Sequence, residues 1–262
     1  MKLLVFGFGY TARAFARRLG PEWELVSSAR GDDGPALPGN AFDRVTHILV
    51  SIPPDDHGDP VLERHGANIS ALRGLQWLGY LSTTGVYGTR DGDWVDESSA
   101  LSPSSARAER RAAAERDWLR LGAHVFRLAG IYGPGRSAFD ALRAGSAKRI
   151  DAGGQVFSRI HVDDIATVLL ASIARPRPGA VYNVCDDEPA AQEAVVAYAA
   201  KLLGVAPPPL VPLADAELSP MARSFWADNK RVSNALIKRE LGVALAYPSY
   251  REGLAAVLAA GG

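Results

Sequence analysis

Near its N-terminus the chain carries an unbroken apolar run, Leu3-Leu4-Val5-Phe6, that passes directly into Gly7-Phe8-Gly9-Tyr10-Thr11-Ala12. A short continuous apolar run fits a strand buried on both faces of a parallel sheet. The small residues after it have separate tasks. Gly7 permits a sharp strand-to-helix turn, Gly9 lets a pyrophosphate approach the backbone, and Ala12 lets the helix lie close to the sheet. Free N–H groups and the positive dipole end of that helix favour phosphate. The alternative is an ordinary tight β–α turn. Its place at the head of a repeating β–α pattern favours a dinucleotide site on Gly7, Phe8, Gly9, Tyr10, Thr11 and Ala12.

That pattern continues along the chain. A helix runs to about Leu19, before Gly20-Pro21, and Glu24 to Ser28 reads as a second strand. Gly31 to Asn40, rich in Gly, Pro and Asp, reads as loop, so any third strand here is short or missing. Val45 to Ser51 is a buried strand stopped by Pro53-Pro54. Helix over 60–75, strand over 77–82, charged Ala-rich helix over 104–121 and strand over 124–128 follow. A further helix at 163–174 and strand at 180–184 complete an α/β, Rossmann-type doubly wound parallel sheet. After residue 185 the pattern turns mostly helical: 189–203 closed by Gly204, 233–241 closed by Gly242, and a last helix opened by the capping box Ser249-x-x-Glu252. The expected organisation is a dinucleotide-binding core at 1–185, with part of a substrate cleft from about 133–160. A small helical substrate subdomain at 186–262 leans on it.

Composition removes several function classes. The 29 basic and 29 acidic residues cancel, so no charge excess points to nucleic acid or an anionic membrane. No apolar run approaches the ~20 residues of a membrane span, and Leu3 to Phe6 is too short for a signal-peptide core. Cys185 is the single cysteine; it excludes an intrachain disulfide, suits a cytoplasmic setting, and within an apolar strand reads as packing. Five scattered His and one Cys lack metal-ligand spacing, and no G-x-S-x-G elbow follows a strand.

Cofactor type is read about 20 residues past the glycine turn, where an acid would hold a free ribose hydroxyl. The stretch Val26-Ser27-Ser28-Ala29-Arg30 has no acid. Ser28 and Arg30 could instead grip a 2′-phosphate, which favours NADP; Asp32 and Asp33 close by keep NAD open.

Beyond the turn, the chain resembles the extended short-chain dehydrogenase/reductase family, the NAD-dependent epimerase/dehydratase group, over nearly its whole length. The resemblance rests on Ser82-Thr83-Thr84-Gly85-Val86-Tyr87-Gly88, on Arg127-Leu128-Ala129-Gly130-Ile131-Tyr132-Gly133-Pro134-Gly135 and on Ile160-His161-Val162-Asp163-Asp164-Ile165. Tyr182-Asn183-Val184 and the stretch from Arg231 through Gly242 continue it. The turn departs from the family's G-x-x-G-x-x-G spacing, so the chain looks like an atypical branch. With the motif residues, Ser51, Ile52, Pro53, Arg111 and Ala129 complete the expected cofactor-lining set.

The resemblance implies chemistry by a Ser/Thr, a Tyr and a Lys. Thr83 falls on the first position, but Arg107 and Arg111 stand where the Tyr and Lys would be. A guanidinium has no acceptor and a pKa above ~12, so Arg107 cannot be a general base near neutral pH. Three readings follow. Tyr87, Tyr132 or Thr83 takes over acid/base work; or the protein binds dinucleotide and ligand without turnover, as a sensor; or the fold is kept and the site lost. If there is a reaction, the resemblance implies hydride transfer on a hydroxyl- or carbonyl-bearing small molecule, sugar-linked in the family's usual case.

Tyr87 and Tyr132 each stand beside Gly at a strand end, where cleft-wall packing is the equal alternative. His161, Asp163 and Asp164 suit the start of a helix. The family's phosphate-binding Arg would fall on Phe157. Arg159, two positions on and on the same face of a strand, is a substrate-binding candidate with Arg136. A solvated Arg is the plain alternative for both. The resemblance also implies a homodimer through the helices at 60–75 and 104–121.

Overall fold

The computed structural model describes residues 1–31, 34–219, 223 and 225–261, with side chains at all of these except 29–31, 34 and 35. Its centre is a six-stranded parallel sheet. The strands are β1 (Lys2–Phe6), β2 (Glu24–Ser27), β3 (His47–Val50), β4 (Trp77–Thr83), β5 (His124–Leu128) and β6 (Val181–Val184). Their spatial order is β6-β5-β4-β3-β1-β2. The chain leaves β1 toward one edge and, after β2, returns to build toward the other, so a crevice opens beyond the carboxyl ends of β1 and β3. This is the expected doubly wound sheet. Between β2 and β3, residues 29–31 and 34–36 pair as an antiparallel ribbon where loop was expected, and no third parallel strand intervenes among the described residues. Asp32 and Asp33 lie outside the described residues.

Alternation along β1 sorts the two layers. Leu3 and Val5 face α1 (Tyr10–Ala16), α5 (Val162–Ala174) and α7 (Ala235–Leu241); Leu4 and Phe6 face α2 (Pro60–Ser70) and α3 (Ala106–Arg120). A third apolar cluster, holding Phe139, Val195, Ala199, Tyr250, Leu254 and Val257, joins α4 (Ala138–Arg143), α6 (Gln192–Leu203) and α8 (Tyr250–Ala259) into a side lobe. The lobe thus takes α4 from the middle of the chain, while α7 packs on the sheet. The Ser249–Glu252 capping box opens α8 as expected, and a second one, Ser137–Asp140, opens α4, a helix the sequence pattern did not mark.

Two of the boundaries that differ have a reason in the hydrogen bonding. The helix expected to reach Leu19 ends at Ala16, because Arg18 and Leu19 donate to the carbonyls three residues back and tighten the last turn. The helix expected from Pro189 begins at Gln192, since Ala190 exchanges both backbone hydrogen bonds with Phe157. Asp164 serves less as a cap than as an anchor: fully buried, its carboxylate accepts from the N–H groups of Ala246 and Tyr247 at 2.8 and 3.0 Å. His161 holds the N-cap position of α5, its Nδ1 accepting from Asp163 N. Among the described residues no helix is long and apolar enough to cross a membrane.

Candidate functional site

The glycine turn sits at the crevice. Gly7 has φ +87°, and a Cβ there would come within 2.8 Å of Ile52 Cγ1 and 3.2 Å of Ser51 Oγ. Both constraints select glycine. Its N–H donates to Ser28 Oγ at 3.1 Å, and its carbonyl accepts from Ser51 Oγ at 2.8 Å. The ends of β1, β2 and β3 are thereby stitched into one rim. Gly9 is the N-cap residue of α1, and a Cβ built on it meets nothing within 4 Å. The space above the N-terminus of α1 is therefore open. Ala12 is fully buried and Thr11 nearly so, while Phe8 and Tyr10 are half-buried. Ser28, expected to face a 2′-phosphate, already accepts one hydrogen bond from the turn. The Arg30 side chain lies outside the described residues. Pro53 is exposed, and Ala129 is buried at the end of β5 with its N–H donating to Val184 O.

The catalytic candidates separate. Thr83 stands at the open end of β4 and caps the 3-10 turn that follows, its Oγ1 accepting from Gly85 N at 3.1 Å. Arg111 Nη1 donates to Tyr80 Oη and to Leu81 O, both at 3.0 Å, which fastens α3 to β4. Arg107, one turn earlier, is exposed, with its guanidinium 4.7 Å from the centre of the Phe225 ring. Tyr87 is fully buried. Its hydroxyl accepts from Arg127 Nη1 and donates to Asn183 Oδ1, each at 2.8 Å, and burial raises its pKa above the ordinary phenol value. It belongs to a buried polar network in which Glu115 of α3 takes a bidentate hydrogen bond from Arg127 and a bond from Ser82 Oγ. Tyr87 is held away from the crevice that Thr83 borders.

Tyr132, Arg136 and Arg159 come together around a cavity of about 650 Å³ between α4, α6 and α8. Tyr132 is 8% exposed, donates to Ser249 O at 3.3 Å, and has its pKa raised by burial. A Cβ on Gly253 would lie 2.0 Å from its hydroxyl, so α8 needs glycine there to admit the ring. The cavity adjoins the glycine turn: Tyr10 Oη donates to Pro134 O at 3.1 Å, and the Arg136 guanidinium packs 5.8 Å from the Tyr10 ring centre. On the far wall Trp226 follows Phe225, the residue that stacks on Arg107.

Sequence reasoning missed three participants. Arg127, in the middle of the apolar run His124 to Leu128, was the readable one, since a charge inside a buried strand requires a partner. Trp226 and Tyr250 carried no motif. Asp186 is 1% exposed, and among the described residues neither carboxylate oxygen has a hydrogen-bond partner. Burial pushes its pKa up to about 8. Cys185 beside it is fully buried, with its pKa raised by burial, and packs with Sγ 3.1 Å from Val232 O.

No family model matches the chain. A 3-diazoavenalumate denitrifying reductase of a Streptomyces species is 31% identical over 141 residues, 50% of this chain and 45% of that one. Protein YeeZ of Escherichia coli K12 is 27% identical over 173 residues, 64% of this chain and 58% of that one. The chain thus spans about half the length of the curated relatives it matches. Among solved structures, a conserved protein of unknown function from Silicibacter pomeroyi shares 53% identity over 99% of this chain and 98% of that one, with a TM-score of 0.93. The Bacillus anthracis dTDP-glucose 4,6-dehydratase in complex with NAD superposes at a TM-score of 0.76 with 18% identity, over 99% of this chain and 96% of that one. The human epimerase family protein SDR39U1 with NADPH superposes at 0.78 with 16% identity, over 98% of each chain. By sequence the chain belongs to one family with the Silicibacter pomeroyi protein, and it shares its fold with the NAD-bound dehydratase and the NADPH-bound epimerase family protein.

Proposed function

We propose that the protein binds a nicotinamide dinucleotide, NADP in preference to NAD, along the rim made by Gly7, Gly9, Ser28 and Ser51. In this reading it carries out hydride transfer on a hydroxyl- or carbonyl-bearing small molecule held in the adjoining cavity. The observation that carries this is the open space over Gly9 at the start of α1, in a turn whose other glycine is fixed by contact and by φ. A side chain at Gly9 would fill that space, and the N–H groups beside it have the geometry that phosphate seeks. Solved structures of the same fold with NAD or NADPH bound support the choice of cofactor.

A bound nicotinamide supplies or accepts the hydride. The residues of this chain then set the direction. Arg107 is a permanent cation without an acceptor, so it can stabilise negative charge on a reduced carbonyl oxygen but cannot take a proton from an alcohol. Thr83 Oγ1 accepts one bond from Gly85 and, among the described residues, leaves its own proton uncommitted for that oxygen. In reduction the hydride goes to the carbonyl carbon and the oxygen takes its proton from solvent, so neither residue has to act as a base. The partial match to a protein named as a reductase agrees with that direction. The sensor reading keeps a specific observation in its favour: the Tyr87 hydroxyl is spent inside the core and that of Tyr132 on Ser249 O.

Calorimetric titration with NADPH and NADH tests the cofactor. NADPH should bind more tightly, and Gly9→Val should abolish binding of both without lowering thermal stability, because the new side chain enters open space. Tighter binding of NADH reverses the preference, and unchanged binding to the Gly9→Val protein removes the site. Cofactor oxidation against an aldehyde and ketone panel separates enzyme from sensor.

A further inference from the structure

Arg159 enters the cavity wall from the short strand Arg159–His161, which pairs with residues 130–132. Its Nη1 donates to Phe157 O and Ala190 O at 2.8 and 2.9 Å, which fixes the guanidinium in place. Among the described residues Nε and Nη2 have no hydrogen-bond partner and no carboxylate lies within ion-pair distance. Burial pulls its pKa below the ordinary guanidinium value. Arg159 is half-buried at the cavity wall, and a guanidinium edge without a partner there is a ready site for an anion. Asp186 is the nearby candidate and does not serve. Its carboxyl lies close enough for its charge to act on the guanidinium, yet among the described residues it makes neither a hydrogen bond nor an ion pair with it.

The remaining wall decides what the missing anion is attached to. Arg136 and Lys148 add positive charge, and the single lining carboxylate, Asp140, is consumed by Ser137 in the capping box of α4. Two of the uncharged polar side chains are also engaged, while the Tyr250 hydroxyl and the Trp226 indole N–H make no hydrogen bond among the described residues. Ser146 donates to Ala141 O, while Gln192 accepts from Ile150 N and donates to Lys148 O. Ile150, Val195, Val196, Trp226, Tyr250 and Leu254 offer apolar and aromatic surface, and about 650 Å³ is ample for a compact ligand.

The geometry points to this cavity as the binding site of a small carboxylate on an aromatic body, its carboxylate held by the free edge of Arg159. This names the substrate class for the proposed function and rests on that reading for its catalytic meaning, but binding itself does not require the cofactor.

The test uses the full chain without dinucleotide and 2-naphthoate as probe, with 2-naphthamide as its uncharged isostere and UDP-glucose as the nucleotide competitor. Naphthoate should bind at least tenfold more tightly than naphthamide and more tightly than UDP-glucose. Arg159→Met should weaken naphthoate by about 10- to 100-fold, the loss of a charge-assisted pair, and leave naphthamide unchanged. Equal binding of the two naphthyl compounds, naphthoate affinity unaltered in Arg159→Met, or tighter Arg159-dependent binding of UDP-glucose each overturns the assignment. Should Arg159→Met fail to fold, the naphthoate-to-naphthamide ratio of the unmodified protein, and its partial retention in Arg159→Lys, decide in its place. Failure here leaves NADPH binding at Gly9 untouched, and loss of NADPH binding leaves naphthoate affinity untouched, so the two ideas fail separately.

Discussion

Replacing Tyr87 by Phe separates a catalytic tyrosine from a structural one. The hydroxyl satisfies two buried groups at once, Arg127 Nη1 and Asn183 Oδ1, each 2.8 Å away. Phe fills the same volume and leaves both without a partner. A buried group left unsatisfied costs about 1–3 kcal/mol, more where it is charged. Arg127 keeps its bidentate bond to Glu115, so the combined loss should be about 2–4 kcal/mol. For a chain of this size about 2–4 °C of melting temperature goes with each kcal/mol, which places the expected drop at about 4–16 °C. Thermal melting reads the stability. NADPH oxidation at 20 °C, well below the variant's melting point, reads turnover with any carbonyl compound the unmodified protein reduces, and turnover should stay within about twofold. A further control replaces the ion pair with apolar groups, Glu115→Leu with Arg127→Met. In that background Tyr87→Phe should cost at least about 1 kcal/mol less, because one of the stranded partners is gone. A fall in turnover of about 10²- to 10⁴-fold with an unshifted melting curve would place the phenol at the reacting atoms and refute the reasoning.

Two further outcomes follow from the same structure. Asp186 has a folded pKa of about 8 against about 3.9 unfolded, so the native state binds the extra proton, and stability falls as pH rises from about 4 to about 8 and levels off above. Arg159, Tyr132, Cys185 and Asp187 are the ionisable groups facing it. Asp186→Asn removes this titration, so urea unfolding should show the variant gaining on the parent by up to a few kcal/mol across that window; a difference that does not change with pH counts against it. The protein should also be a homodimer through α2 and α3, and light scattering that gives a monomer at micromolar concentration excludes that assembly.

How far the sequence could be read depended on whether local pattern or distant partners decided each feature. The sheet was legible because every central strand is a short apolar run and each crossover carries a helical period. Gly204 and Gly242 ended their helices in the left-handed conformation that glycine permits. The helix starting at Gln192 was misplaced because a contact with Phe157, far back in the chain, takes the backbone of Ala190; nothing near Pro189 announces it. Tyr87 shows the same limit at the site. Its place after a glycine-flanked strand end pointed to a cleft, and only the positions of Arg127 and Asn183, brought by β5 and β6, turn its hydroxyl inward.

The two arginines on α3 bring the cofactor rim and the cavity into one account. Arg111 is committed to Tyr80 and Leu81 O, so its permanent charge holds the helix against β4. Arg107 is exposed and stacks on the ring of Phe225, whose neighbour Trp226 lines the cavity. If the proposed function and the proposed carboxylate site both hold, the cation of Arg107 and the free guanidinium edge of the half-buried Arg159 would take the same kind of molecule: one with a carboxylate at one end and a reducible carbonyl at the other. The spacing between those two groups, more than the identity of the ring that joins them, is what this arrangement would measure.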